Sequence, residues 1–276
     1  MKKTWRWLGK KDKVTLPMLR EIGIEGIVTA LHDIPDGEIW TLEAILDLRD
    51  YIENEGLEWS VVECLPVSEL IKCGRADNRL IDNYILSLAN LGTAEIKTVC
   101  YNFTPATNRL HPEICKVDAA PSKKLLSLYN GIDKSALREN MKYFINQMMP
   151  VCEEFCINMC VYPDSFPSKE FGLPYIVTKS EDLEWILKTV YNPYNGLAFC
   201  TESLNQGQHN NMQEFAKKFA ANTHFVCLKS MYTQIINGII NTFYFEENIP
   251  LKEMVHTFEK YNPSLPICIG HGKISD

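Results

Sequence analysis

Cys200 and Cys227 close two short apolar runs, GLAFCTES and HFVCLKS, and His271 closes a third, PICIGHG. Two thiolates and an imidazole are donors suited to a soft divalent ion such as Zn²⁺. The same cysteines equally suit a core, where free cysteine packs as a small apolar residue. Glu202, two residues after Cys200, adds a carboxylate that either completes an ion site or points to solvent. Tyr162 ends the run NMCVYPD with a phenol, either a ligand contact or a space-filling ring. His271 is the candidate acid/base group, since imidazole titrates near neutral pH. His32 and Asp33 end IVTALHD, and Arg6 and Asn102 hold comparable places, where their polar groups are candidates for binding ligand oxygens.

The runs that carry these residues recur along the chain: IVTALHD, WSVVEC, KTVCYN, NMCVYPD, GLAFCTES, HFVCLKS and PICIGHG, with helix-like stretches between most of them. Apolar strands alternating with helices predict a parallel sheet closed into a (β/α)8 TIM barrel, where chemistry gathers at the strand ends. A length of 276 residues fits one such domain. The net charge of −7 excludes a broad nucleic-acid surface but not a local cation for an anionic ligand. No stretch reaches the ~20 apolar residues of a membrane span. The basic start MKKTWRWLGKKDK lacks the apolar core of a signal peptide. Ten cysteines without an export signal therefore read as reduced thiols of a cytoplasmic protein.

The expected elements follow from periodicity and punctuation. Strands are predicted at 5–8, 26–31, 59–64, 96–101, 159–162, 197–200, 225–228 and 267–270. Helices are predicted at 16–22, from Thr41 as N-cap towards Gly56, at 77–91 with a stop near Gly92, and at 133–155, where Pro150 kinks or ends the helix. Three more are predicted at 180–190, 212–221 and 250–261. Residues 104–132, with Pro105, Pro112 and Pro121, read as a loop insertion that is either a lid or solvated. Asn237-Gly238 between two β-rich stretches predicts a small hairpin at 233–243. Cys152, Cys156 and Cys160 read as core. The chain stops at Asp276 before an eighth helix, so a barrel lacking its last helix is expected, with apolar surface on two strands left for a partner to cover.

At these strand ends the chain resembles the mannonate dehydratase family, whose barrel is related to xylose isomerases. The matching words are TWRWLGKKDKVTLPMLREI, GIVTALHDIPDGEIW, IDNYILSLANLGTAEIKTVCYNF, LRENMKYFINQMMPVCEE, FGLPYIV, NPYNGLAFCTESL, HFVCLKS and PICIGHGK. The resemblance implies dehydration of D-mannonate to 2-keto-3-deoxy-D-gluconate, a lyase step of hexuronate catabolism that uses Mn²⁺ or Fe²⁺. It also implies four metal-holding strand ends: a histidine in HPDDPP, the cysteine in FCTGSL, a histidine in FVHLR and the aspartate in RPDHG. Here those positions carry Tyr162, Cys200, Cys227 and Gly270, so one ligand is kept and three are replaced. Glu202 stands where the family has glycine, Asp164 keeps an acidic position, and His271 matches a proton-transfer histidine. The tyrosine that works with that histidine belongs to a GYGLYDRA-like segment beyond Asp276.

The expectation is a divergent, C-terminally short member with an impaired metal site. In the substrate role it has Arg6, His32, Asp33 and Asn102, with Cys227 and Glu202 as substitute ligands beside Cys200. Its cofactor is then Mn²⁺ or Fe²⁺ by resemblance, or Zn²⁺, or none. The rival readings are an inactive paralogue that binds a sugar acid or a dehydratase subunit, and a decayed, truncated gene product. A small sugar acid is the expected ligand, and a homo-oligomer or a paralogous subunit the expected assembly.

Overall fold

The computed structural model describes residues 1–106, 122–164, 172–205, 210–229, 231–236, 239–244 and 250–268. Eight parallel strands close on themselves. In chain order the strands are β1 (Lys2–Arg6), β2 (Gly26–Thr29), β3 (Glu58–Glu63), β4 (Thr98–Asn102), β5 (Asn158–Tyr162), β6 (Asn195–Cys200), β7 (Thr223–Cys227), β8 (Met231–Ile236), β9 (Ile239–Tyr244) and β10 (Pro266–Cys268). Around the barrel they run β1-β10-β7-β6-β5-β4-β3-β2. Lys2 opposite Pro266 and Thr4 opposite Cys268 join the first strand to the last, and the Thr4 hydroxyl donates to the Ile267 carbonyl at 2.9 Å. β8 and β9 form a separate antiparallel ribbon with Ile236 opposite Ile239, and Asn237-Gly238 lies outside the described residues.

Strand alternation sorts the side chains into two layers. Val99, Tyr101, Met159, Val161, Leu197, Phe199 and Val226 join the large core beneath the helices. Their sequence neighbours Cys100, Cys160, Tyr162, Ala198, Cys200, Phe225 and Cys227 form a second, smaller buried cluster inside the barrel. β1 is displaced from its predicted position, beginning at Lys2. Lys2 meets Glu58 at 2.6 Å, and Trp7 follows the strand as a buried ring stacked on Tyr51.

The helices are α1 (Leu16–Glu21), α2 (Leu42–Glu53), α3 (Glu69–Lys72), α4 (Asn78–Thr93), α5 (Lys123–Ser127), α6 (Lys134–Phe155), α7 (Ser180–Thr189), α8 (Thr201–Leu204), α9 (Met212–Phe219) and α10 (Leu251–Tyr261). Thr41 caps α2 by accepting from the Ala44 amide at 3.3 Å, Asp77 caps α4 from Leu80 at 3.1 Å, and Asp133 caps α6 from Ala136 at 2.8 Å. Two expected helix spans hold and one residue is corrected. α6 covers the predicted 133–155 almost to the residue, so Pro150 does not end it, and Val151 and Cys152 beyond it continue the buried face of Phe144, Ile145 and Met148. α4 stops one residue past Gly92, near its predicted end, and Gly92 itself is buried, where an added Cβ would lie 2.5 Å from the Phe155 Cβ of α6. Cys156 is exposed as the left-handed C-cap of α6 (φ 55°), whereas Cys152 and Cys160 are buried. The short α3, α5 and α8 had no periodic signal, and α5 occupies part of the predicted 104–132 insertion. Residues after 268, where the eighth helix was expected to be missing, lie outside the described residues.

Candidate functional site

The barrel interior near the strand ends is lined with sulfur. Register places Cys100 beside Cys160, Cys200 beside Cys227, and Cys227 beside Cys268. Cys64 packs against the same cluster. Register sets the thiols of Cys200, Cys227 and Cys268 side by side, and they shift one another. The neighbouring Cys227 thiol, then burial, holds Cys200 well above the ordinary thiol range. At Cys227 the Cys200 thiol favours the thiolate, but Cys268 and burial outweigh it, pushing the group up to about 12. Cys268, beside Cys227 and near the Arg6 guanidinium, is lowered. Ser203 in α8 lies 3.7 Å from the Cys200 sulfur.

Above this apolar floor stand two ion pairs. Arg6, the last residue of β1, donates from Nε to Glu63 Oε2 at 2.6 Å, and its Nη2 bonds the other carboxylate oxygen. The same Nη2 reaches the Tyr162 hydroxyl at 3.3 Å. Burial works against the guanidinium charge, but Glu63 first, then Tyr162 and Cys227, keep the group well above its ordinary value. Burial also pushes the Tyr162 phenol far up, so it stays a neutral hydroxyl. The second pair joins Lys229, just past β7, to Glu202 in α8. Thr201 fixes the backbone of Lys229, its hydroxyl donating to the Lys229 carbonyl at 2.8 Å and accepting from the Lys229 amide at 2.7 Å. Burial and the nearby Arg6 oppose the ammonium, and Cys200, Cys227 and Glu202 outweigh them.

The other sequence-derived candidates are spread around this centre. His32 is half-buried in the turn after β2, and Asp33 beside it is exposed. Asn102 ends β4 half-buried, its Oδ1 accepting from the Thr104 amide at 2.6 Å. Asp164 is fully buried and accepts from the Ile176 and Val177 amides, both at 2.8 Å, as well as from the Thr104 hydroxyl. It therefore ties together the loops after β4 and β5. Gly270 and His271 lie outside the described residues. Among the described residues, no group of three or more His, Cys, Asp or Glu is arranged to hold a metal ion. Sequence reasoning passed over Glu63 and Lys229. Both were visible as the polar ends of WSVVEC and HFVCLKS, but only pairing across strands shows what they do.

The profile of the family D-mannonate dehydratase (UxuA) matches residues 1–122 and 112–275. The chain belongs to the D-mannonate dehydratase family. A mannonate dehydratase of Thermotoga petrophila (strain RKU-1) is 34% identical over 278 residues, covering 84% of this chain and 77% of the relative. One from Oceanobacillus iheyensis is 31% identical over 312 residues, covering 99% and 89%. The crystal structure of mannonate dehydratase from Streptococcus suis serotype 2 superposes with a TM-score of 0.84 at 30% identity, over 99% of this chain and 84% of that one. A D-psicose 3-epimerase shares the fold alone, with a TM-score of 0.64 at 11% identity. In this chain the mouth carries a phenol and two thiols at three strand ends, and carboxylates held by Arg6 and Lys229.

Proposed function

We propose that this chain is a sugar-acid barrel of the D-mannonate dehydratase family whose metal-dependent dehydration is impaired. The carrying observation is the donor set at the ends of β5, β6 and β7. There Tyr162, Cys200 and Cys227 lie in a buried apolar cluster, while the nearby carboxylates Glu63 and Glu202 are already paired with Arg6 and Lys229. For Mn²⁺ or Fe²⁺, carboxylate and imidazole donors beside a single cysteine are poorly replaced by a neutral phenol and a second protonated thiol. When bound, such an ion would polarise substrate oxygens and stabilise developing negative charge. No described group of this chain takes over that task. Arg6, His32, Asp33 and Asn102 remain as the groups for binding sugar-acid oxygens, and His271 as the acid/base group.

The consequence is a binding role in place of rapid turnover, as an inactive paralogue that holds a sugar acid or associates with a dehydratase subunit. A decayed gene product is the bland rival, and cooperative melting of the purified chain would exclude it. In a test on the full chain, metal analysis and a D-mannonate turnover assay are run together. Substoichiometric Mn²⁺ and Fe²⁺ with negligible 2-keto-3-deoxy-D-gluconate support the proposal. One such ion per chain with product formation overturns it. The facing register of Cys200 and Cys227 favours one second reading, a zinc site completed by His271. One zinc per chain, lost in Cys200→Ser, would establish that reading instead.

A further inference from the structure

We infer that Glu202 is a specificity-determining residue: an internal carboxylate that occupies Lys229 and turns the barrel mouth away from acids towards neutral polyhydroxy ligands. The inference rests on the proposed reading of the mouth as a sugar-acid site and deepens it: the built-in pair makes the hold on the acid weaker than a free Lys229 would make it.

The geometry is specific. Lys229 is placed at the strand ends by Thr201, which grips its backbone at both the amide and the carbonyl. Lys229 follows the end of β7 and pairs with Glu202 just past the end of β6, so its ammonium belongs to the mouth and not to the outer surface. Its side chain is 15% exposed and that of Glu202 18%. A lysine so placed is a ready dock for a ligand carboxylate, since a charge-assisted bond in a desolvated site is strong. Glu202 already makes that bond. Held one residue from Thr201, it competes intramolecularly, at an effective concentration no free ligand matches. The other cation, Arg6, is matched in the same way by Glu63. Arg6, Lys229, Glu63 and Glu202 therefore sum to zero charge. An acid entering here must break a built-in pair, whereas a neutral polyol of the same skeleton need not.

Calorimetric titration of the full chain with D-mannonate and with D-mannitol tests this, in metal-free buffer and again with Mn²⁺. The wild-type chain is expected to bind D-mannonate with little preference over D-mannitol. Glu202→Gln frees Lys229 and shifts the preference towards D-mannonate by about tenfold, with D-mannitol unchanged. Glu202→Ala, which also removes the hydrogen-bonding head, should shift it in the same direction. The double variant Glu202→Gln/Lys229→Met should lose the gain. Unchanged or weaker D-mannonate binding in both single variants overturns the inference. So does a gain that survives in the double variant, or a wild-type chain that binds neither sugar. Metal content and turnover are read separately. A chain that loads Mn²⁺ and dehydrates D-mannonate refutes the impaired metal site without touching the Glu202 result.

Discussion

At the scale of single residues, the mouth is organised by partners that lie far apart in sequence. Arg6 and Glu63 are 57 positions apart, and Glu202 and Lys229 are 27 apart. Side chains that end strands were recognisable as candidates from their runs, and Cys200, Cys227 and Tyr162 do share one cluster. Their partnerships were not legible, because a parallel barrel brings strand ends together through closure and not through spacing. Glu63 shows the point: it ended a recognised run, yet nothing local marked it as the counter-charge of Arg6. Its side chain is only 7% exposed, so removing its charge strands a guanidinium. Glu63→Gln is expected to lower unfolding stability by about 3 kcal/mol, as for a broken buried pair. Urea denaturation measures this, and a loss under about 1 kcal/mol would mean that the pair is solvated and contributes little.

Elements were legible where period and punctuation agreed, and misread where tertiary packing overrode local propensity. Pro150 left a kink or an end open within a helix predicted over 133–155, and the apolar stripe of α6 does continue beyond it, the buried face outweighing the lost hydrogen bond. Gly92 marked the end of α4 to within one residue, and it also allows close approach, since α4 and α6 meet where any side chain would collide with Phe155. Gly92→Ala should therefore destabilise by about 1–3 kcal/mol despite the better helix propensity of alanine. A melting temperature at or above that of the wild type would show that the two helices separate easily. Cys156, predicted as core, instead takes the left-handed cap position, a choice dictated by backbone geometry that composition does not reveal.

For the whole molecule, alternation of apolar strands and helices was enough to predict the closed barrel, because few other folds bury so many parallel strands on both faces. What links helices around it needed coordinates. Asp182, buried in the first turn of α7, bonds Lys134 and Arg138 of α6, each at 2.7 Å, and the Thr178 hydroxyl at 2.9 Å. Burial acts against its charge, yet these partners hold its carboxyl below the ordinary 3.8. A depressed folded pKa means that the stabilisation is complete above the unfolded value and disappears as pH falls through the folded one. Wild-type stability should thus fall with acid below about pH 4. Asp182→Asn should remove that part of the dependence and cost about 1–3 kcal/mol at pH 7, because Lys134 and Arg138 are partly exposed. Denaturation curves across pH 2–7 compare the two, and parallel profiles would count against the assignment.

The account turns on whether the mouth of this barrel still holds the ion its family relies on. The most direct measurement is a Mn²⁺ titration of the full chain beside a Tyr162→His/Cys227→His/Gly270→Asp variant that restores the donor types the sequence resemblance implies. The account predicts no saturable Mn²⁺ binding by the wild-type chain and a clear gain by the variant. Saturable, stoichiometric binding by the wild-type chain, unimproved by those three changes, would contradict it.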